Sequence, residues 1–93
     1  MPTWTVTADY DGHLPASEQD ALDLAIDRLA DQAGEVVDSG SGAGFGRRHL
    51  DYTFGREDEA YRLATAVESS FATRDHFDLS VHVLESAREE TSA

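Results

Sequence analysis

The sequence predicts a single α+β domain of element order β-α-β-β-α-β, its four strands forming one antiparallel sheet with both helices on one face. Three observations carry this. Two separate stretches alternate apolar and polar residues cleanly, Thr3 to Tyr10 and Arg47 to Phe54. Each is followed by a stretch with apolar residues at helical spacing. A glycine-rich run, Asp38 to Gly46, lies where the chain must reverse between its two halves.

In the first strand Trp4, Val6, Ala8 and Tyr10 point one way and Thr3, Thr5, Thr7 and Asp9 the other, as in a half-buried strand rich in β-formers. Asp11-Gly12-His13 turns the chain. Pro15 is placed to start a helix, and Ser17 with Asp20 has the spacing of a capping box. That helix runs to Ala33, with Leu22, Ala25, Ile26, Leu29 and Ala33 on one side, and Gly34 is expected to supply a left-handed C-cap. Opposite them Asp20, Asp23, Asp27 and Asp31 make an acidic stripe with Arg28 its nearest cation, and like charges at this spacing repel.

Val36 and Val37 are expected to begin the second strand, and Asp38 to Gly46 to form a flexible hairpin connection with a bulge. Phosphate-binding glycine loops open a helix, whereas a strand follows here without a Gly-Lys-Ser/Thr, so a phosphate cradle is not expected. Phe45 in the middle of this run is either folded back on the core or an anchor for a partner. In the third strand Arg48, Leu50, Tyr52 and Phe54 alternate with Arg47, His49, Asp51 and Thr53. Glu57, Asp58 and Glu59 open the second helix, where its dipole favours acids, and Ala60, Leu63, Ala64, Val67 and Phe71 are its apolar face. The fourth strand is expected over Phe77 to Leu84, with Phe77, Leu79, Val81 and Val83 inward. Tyr10, Tyr52 and Tyr61 read as half-buried packing residues.

With right-handed crossovers this order gives the sheet order 4-1-3-2. The element order resembles the ferredoxin-like fold over residues 1–86, with 87–93 a frayed polar tail. The resemblance implies architecture and says little about activity. The expected core gathers Trp4, Val6, Leu22, Ile26, Leu29, Leu50, Phe54, Leu63, Val67, Phe71, Leu79 and Val81.

The 93 residues carry nineteen acids against seven bases, a net charge of -12, and every base is arginine. Such a surface repels phosphate, so direct contact with nucleic acid or an anionic membrane is not expected. Codon bias or salt adaptation would produce the same composition. Without cysteine there is no disulfide, thiolate nucleophile or cysteine-ligated metal, and no apolar run reaches the length of a membrane span, so a cytoplasmic protein is expected.

The uncovered sheet face is expected to gather Thr5, Thr7, Asp9, His49, Asp51 and His82. It lacks the stacking aromatics of an RNA-binding sheet. Its two histidines and two carboxylates invite a metal or acid/base reading, but no ligand spacing supports one, and neither a metal nor any other cofactor is expected. Three function classes follow, in order. The first is an acidic protein-binding module docking on a basic partner surface, with nucleic-acid mimicry by a phage-type inhibitor as a sub-case. Its contact residues would be Asp20, Asp23, Asp27, Asp31, Glu57, Asp58, Glu59 and Phe45. The second is a homo-oligomeric ligand-binding or sensor domain pairing through open sheets or edge strands. The third is a small enzyme using the His/Asp face.

Overall fold

The computed structural model describes residues 2–71 and 78–86. The elements run β1 (Thr3–Asp11), α1 (Ala16–Ala33), β2 (Val36–Gly44), β3 (Arg47–Phe54), α2 (Glu57–Phe71) and β4 (Ser80–Ser86). The sheet is antiparallel throughout, in the order β2-β3-β1-β4, the order expected.

The alternation of β1 and β3 becomes one buried layer. Val6, Ala8 and Tyr10 lie beside Tyr52, Leu50 and Arg48, their register partners. Together with Phe54 these apolar side chains pack under Leu22, Ile26 and Ala30 of α1 and Ala60, Leu63 and Val67 of α2. Trp4, Leu29, Phe71, Leu79 and Val81 pack against this cluster but stay half-buried. Tyr10 and Tyr52 are more deeply enclosed than half-buried packing residues, whereas Tyr61 is exposed.

Four local expectations are corrected. The hydroxyl of Ser17 makes no capping hydrogen bond, since α1 opens at Pro15. Gln19 instead ties down the entry loop, its Nε2 donating to the carbonyls of Gly12 and Leu14 at 3.1 and 2.7 Å. Gly34 is not left-handed; its φ of 165° is extended backbone. The C-terminal carbonyl of Ala33 is satisfied by Arg62 Nη1 of α2 at 2.6 Å, and Gly34 has no room for a Cβ beside the Glu59 side chain.

The third correction concerns the glycine-rich run, which is strand. β2 pairs with β3 as far as Gly44, with a bulge at Val37. The reversal needs only Phe45 and Gly46, with φ of 55° and 76°. Two positive φ values in a two-residue loop mark a type I′ turn, whose twist matches that of the flanking strands. Glycine and serine lower β-propensity but do not forbid pairing, and the strong β3 serves as the template. Lastly, β4 starts later and ends later than expected, since Trp4 and Thr3 of β1 extend far enough to pair with Glu85 and Ser86. Residue 77 and the tail at 87–93 lie outside the described residues.

Candidate functional site

α1 covers β3 but not the edge strand β2, which leaves a cleft between them of about 430 Å³. One wall is the stripe of α1, Asp20, Asp23, Leu24 and Asp27; the other is Ser39, Gly40 and Ser41 of β2; Leu50 and Tyr52 of β3 form the floor. The volume lies within the range of about 300–1,000 Å³ usual for ligand sites.

The stripe is not uniformly solvated. Asp23 turns toward the sheet, where it accepts the Tyr10 hydroxyl at 2.6 Å and the Arg48 guanidinium at 2.8 and 3.0 Å. Tyr10 and Arg48 are register partners on β1 and β3, so one carboxylate can meet both. One turn on, Asp27 accepts the Tyr52 hydroxyl at 2.8 Å. The relief of the repulsion therefore comes from Arg48 on β3 rather than from Arg28 on the same helix. Burial first, and then the adjacent carboxylates Asp23 and Asp27, push the Tyr10 and Tyr52 phenols far above their ordinary value of 10.0.

What remains is carboxylate without a cation. Arg48 is engaged by Asp23, and among the described residues Asp20, Asp27 and Asp31 form no ion pair. The other candidate contact residues divide. Asp58 pairs with Arg56 and Arg62, and the Arg56 guanidinium holds its carboxyl below the usual range. Glu59 accepts the Glu35 amide at 3.3 Å and lies over Gly34. Glu57 is exposed. Phe45 is fully exposed at the β2–β3 turn, with no fold-back on the core.

On the uncovered sheet face, Thr5, Thr7, Asp9, His49, Asp51 and His82 do come together. Thr5 and Thr53 hydroxyls meet at 3.0 Å, and Thr7 donates to Asp51 at 2.7 Å. His49 Nδ1 donates to the other oxygen of Asp51 at 3.2 Å, and a Cβ on Gly42 would come within 2.7 Å of its Nε2. Asp9 holds Arg47, which also reaches Asp78, and His82 Nε2 lies 3.7 Å from Asp9. Each histidine thus faces its own carboxylate. No group of three acidic or histidine side chains converges on a metal position among the described residues. The face is a set of polar pairs satisfied within the sheet.

The residues missed by sequence reasoning are Leu24 in the α1 wall, Ser39 and Ser41 in the β2 wall, and Leu50 and Tyr52 in the floor of the cleft. A signal existed in Tyr10, Arg48 and Tyr52, three polar-headed residues at inward positions of adjacent strands. Each needs a partner from the helix above, and Asp23 and Asp27 are spaced to supply it.

No family model matches the chain, and no curated protein matches it either. Its likeness is to solved folds. A PII-like signalling protein from Thermus thermophilus superposes with a TM-score of 0.64 at 14% identity, over 92% of this chain and 87% of that one. SnoaB, a cofactor-independent oxygenase from Streptomyces nogalater, gives 0.67 at 11% identity, over 95% of each chain. CPII, a nitrogen regulatory PII-like protein from Thiomonas intermedia solved with ADP, AMP and bicarbonate, gives 0.59 at 17% identity over 95% and 93%. The chain has a ferredoxin-like α+β fold. At these identities the likeness is one of fold alone, and the neighbours span signalling and oxygenase chemistry.

Proposed function

We propose that the chain is a small acidic binding module that receives a cationic group of a basic partner protein in the α1/β2 cleft and modulates that partner. One observation carries this reading: Asp20 and Asp27 line the cleft and form no ion pair among the described residues, while Arg48 of β3 is already held by Asp23. The cleft therefore offers net negative charge, an apolar wall at Leu24 and hydroxyl acceptors at Ser39 and Ser41. An arginine or lysine side chain needs that combination, with apolar surface for its stem and carboxylates for its head. A basic surface that binds nucleic acid is the sub-case in which docking would also compete with phosphate.

A second reading has its own support, since a cleft of about 430 Å³ suits a small ligand and ligand-bound CPII shares the fold. A nucleotide is a poor occupant here, because its phosphates would face Asp20 and Asp27. A small amine or guanidine is the ligand class consistent with the same carboxylates.

The experiment measures association with an oligo-arginine peptide at two salt concentrations, for the wild type and for Asp20→Asn with Asp27→Asn. Asp23 is left intact because it holds Arg48 and Tyr10. Asparagine at position 27 still accepts the Tyr52 hydroxyl. The expected result is a slower on-rate for the variant, a steep fall with salt for the wild type, and an unchanged fold. Equal rates would refute the reading.

A further inference from the structure

We infer that β2 is a self-pairing edge: two copies of the chain join antiparallel through Ser39 to Ala43, about a two-fold axis at Ser41, to form one continuous sheet.

β2 is an outer strand, and every residue from Val37 to Ser41 is exposed, as are Ala43 and Gly44. Natural edge strands are blunted with lysine, proline, inward charges, bulges or a covering element. Here the bulge at Val37 and the charge of Asp38 protect only the first residues. Ser39 to Gly44 carries none of these devices, and its side chains are too small to hinder an approaching strand. The other edge, β4, carries His82 and Glu85.

The hydrogen-bond pattern fixes which residues can pair outward. In a two-residue hairpin the residues flanking the turn, Gly44 and Arg47, form a hydrogen-bonded pair. Alternation then gives Gly42 and Gly40 to the β3 ladder, and points the N–H and C=O groups of Ser39, Ser41 and Ala43 away from it. An axis at Ser41 sets Ser41 opposite Ser41 of the second copy, and Ser39 opposite Ala43. All of these are outward-facing, so every such pair can exchange both its hydrogen bonds. The parity is satisfied without any change in β2.

The same register answers two further questions. Asp38 falls opposite Gly44 of the second copy, so the one charge of β2 does not meet its own image. Val37 at the bulge and Phe45 at the turn flank the two ends of the pairing segment, so each end brings the bulge of one copy near the turn of the other. Val37 is 58% exposed and Phe45 fully so, and with Leu24, which lines the cleft beside Ser39 to Ser41, they make up three of the five large hydrophobics exposed among the described residues. Two chains of net charge -12 repel over most of their surfaces, and this nearly uncharged edge is where they can meet. Pairing is isologous and closes as a dimer. It also sets the β2 walls of the two α1/β2 clefts side by side, as one shared trough. The inference stands independently of what the cleft binds.

Sedimentation of the full chain from micromolar to millimolar concentration tests it, at low and high salt. The expected mass climbs from 10.1 kDa toward twice that value, and added salt strengthens the association because it screens like charge. Peptide binding to the cleft has the opposite salt dependence, so failure of one reading is distinguishable from failure of the other. Ser41→Pro removes an outward N–H that the β3 ladder does not use, which an edge strand tolerates. Ser41→Asp asks nothing of the backbone and sets two like charges opposite each other on the axis. Both are expected to raise the dissociation constant severalfold with unchanged circular dichroism. A chain that stays at 10.1 kDa throughout, or Ser41→Asp dimerising as tightly as the wild type, would overturn the inference.

Discussion

Replacing Phe45 by asparagine should make the protein more stable. Phe45 holds φ at 55°, and for an L-residue with a bulky side chain the left-handed region costs roughly 1–2 kcal/mol. A core residue would recover that cost through packing, but Phe45 is 107% exposed and has no packing to lose. Asparagine tolerates the left-handed region, and Asn-Gly is a favoured type I′ pair. Unlike glycine, it adds little freedom to the unfolded chain. The net gain worked from these terms is about 1 kcal/mol, which for a domain of this size raises the melting temperature by about 4–8 °C. Thermal and urea denaturation, run dilute enough to keep the chain monomeric, measure it. A melting temperature that is unchanged or lower would mean that the ring contacts the protein, and would refute the reasoning.

Other outcomes follow from the same packing. Leu50→Ala should cost about 2–5 kcal/mol in urea denaturation, as a buried side chain leaving a cavity does, while Leu79→Ala, at a half-buried position, should cost less. Tyr10 and Tyr52 stay protonated in the folded state above pH 10.0, where an unfolded tyrosine ionises. Their contribution is therefore complete below about pH 10 and is lost as pH rises above it, by up to about 1.4 kcal/mol per pH unit for each phenol. Tyrosinate absorbance should show Tyr10 and Tyr52 ionising only with unfolding. Elemental analysis should find no stoichiometric metal, because His49 and His82 face separate carboxylates; one equivalent that is lost in His49→Ala would contradict this.

Strand order and the cores of β1, β3, α1 and α2 were legible because alternation and helical spacing report burial directly. β2 was not. Its glycines and serines carry no hydrophobic pattern, and what makes them a strand is the neighbouring β3, a non-local cause that no local signal encodes. Gly34 misled for a related reason: its position fits a C-cap, but the terminal carbonyl is taken by Arg62 from another helix. The acidic stripe was visible, yet its division was not. Whether Asp23 is a surface charge or an internal acceptor depends on Tyr10 and Arg48 arriving beneath it, and that requires the register of β1 against β3.

If Asp20 and Asp27 of the α1/β2 cleft, rather than the acidity of the whole surface, receive a basic partner, amide chemical-shift mapping of the chain against an oligo-arginine peptide will show it. The account predicts that shifts concentrate at Asp20, Leu24, Asp27 and Ser39 to Ser41, and vanish there in the Asp20→Asn, Asp27→Asn variant. Shifts distributed evenly over Glu57, Asp58, Glu68 and Glu85 as well would contradict it, and would mark the charge as a general property of the surface.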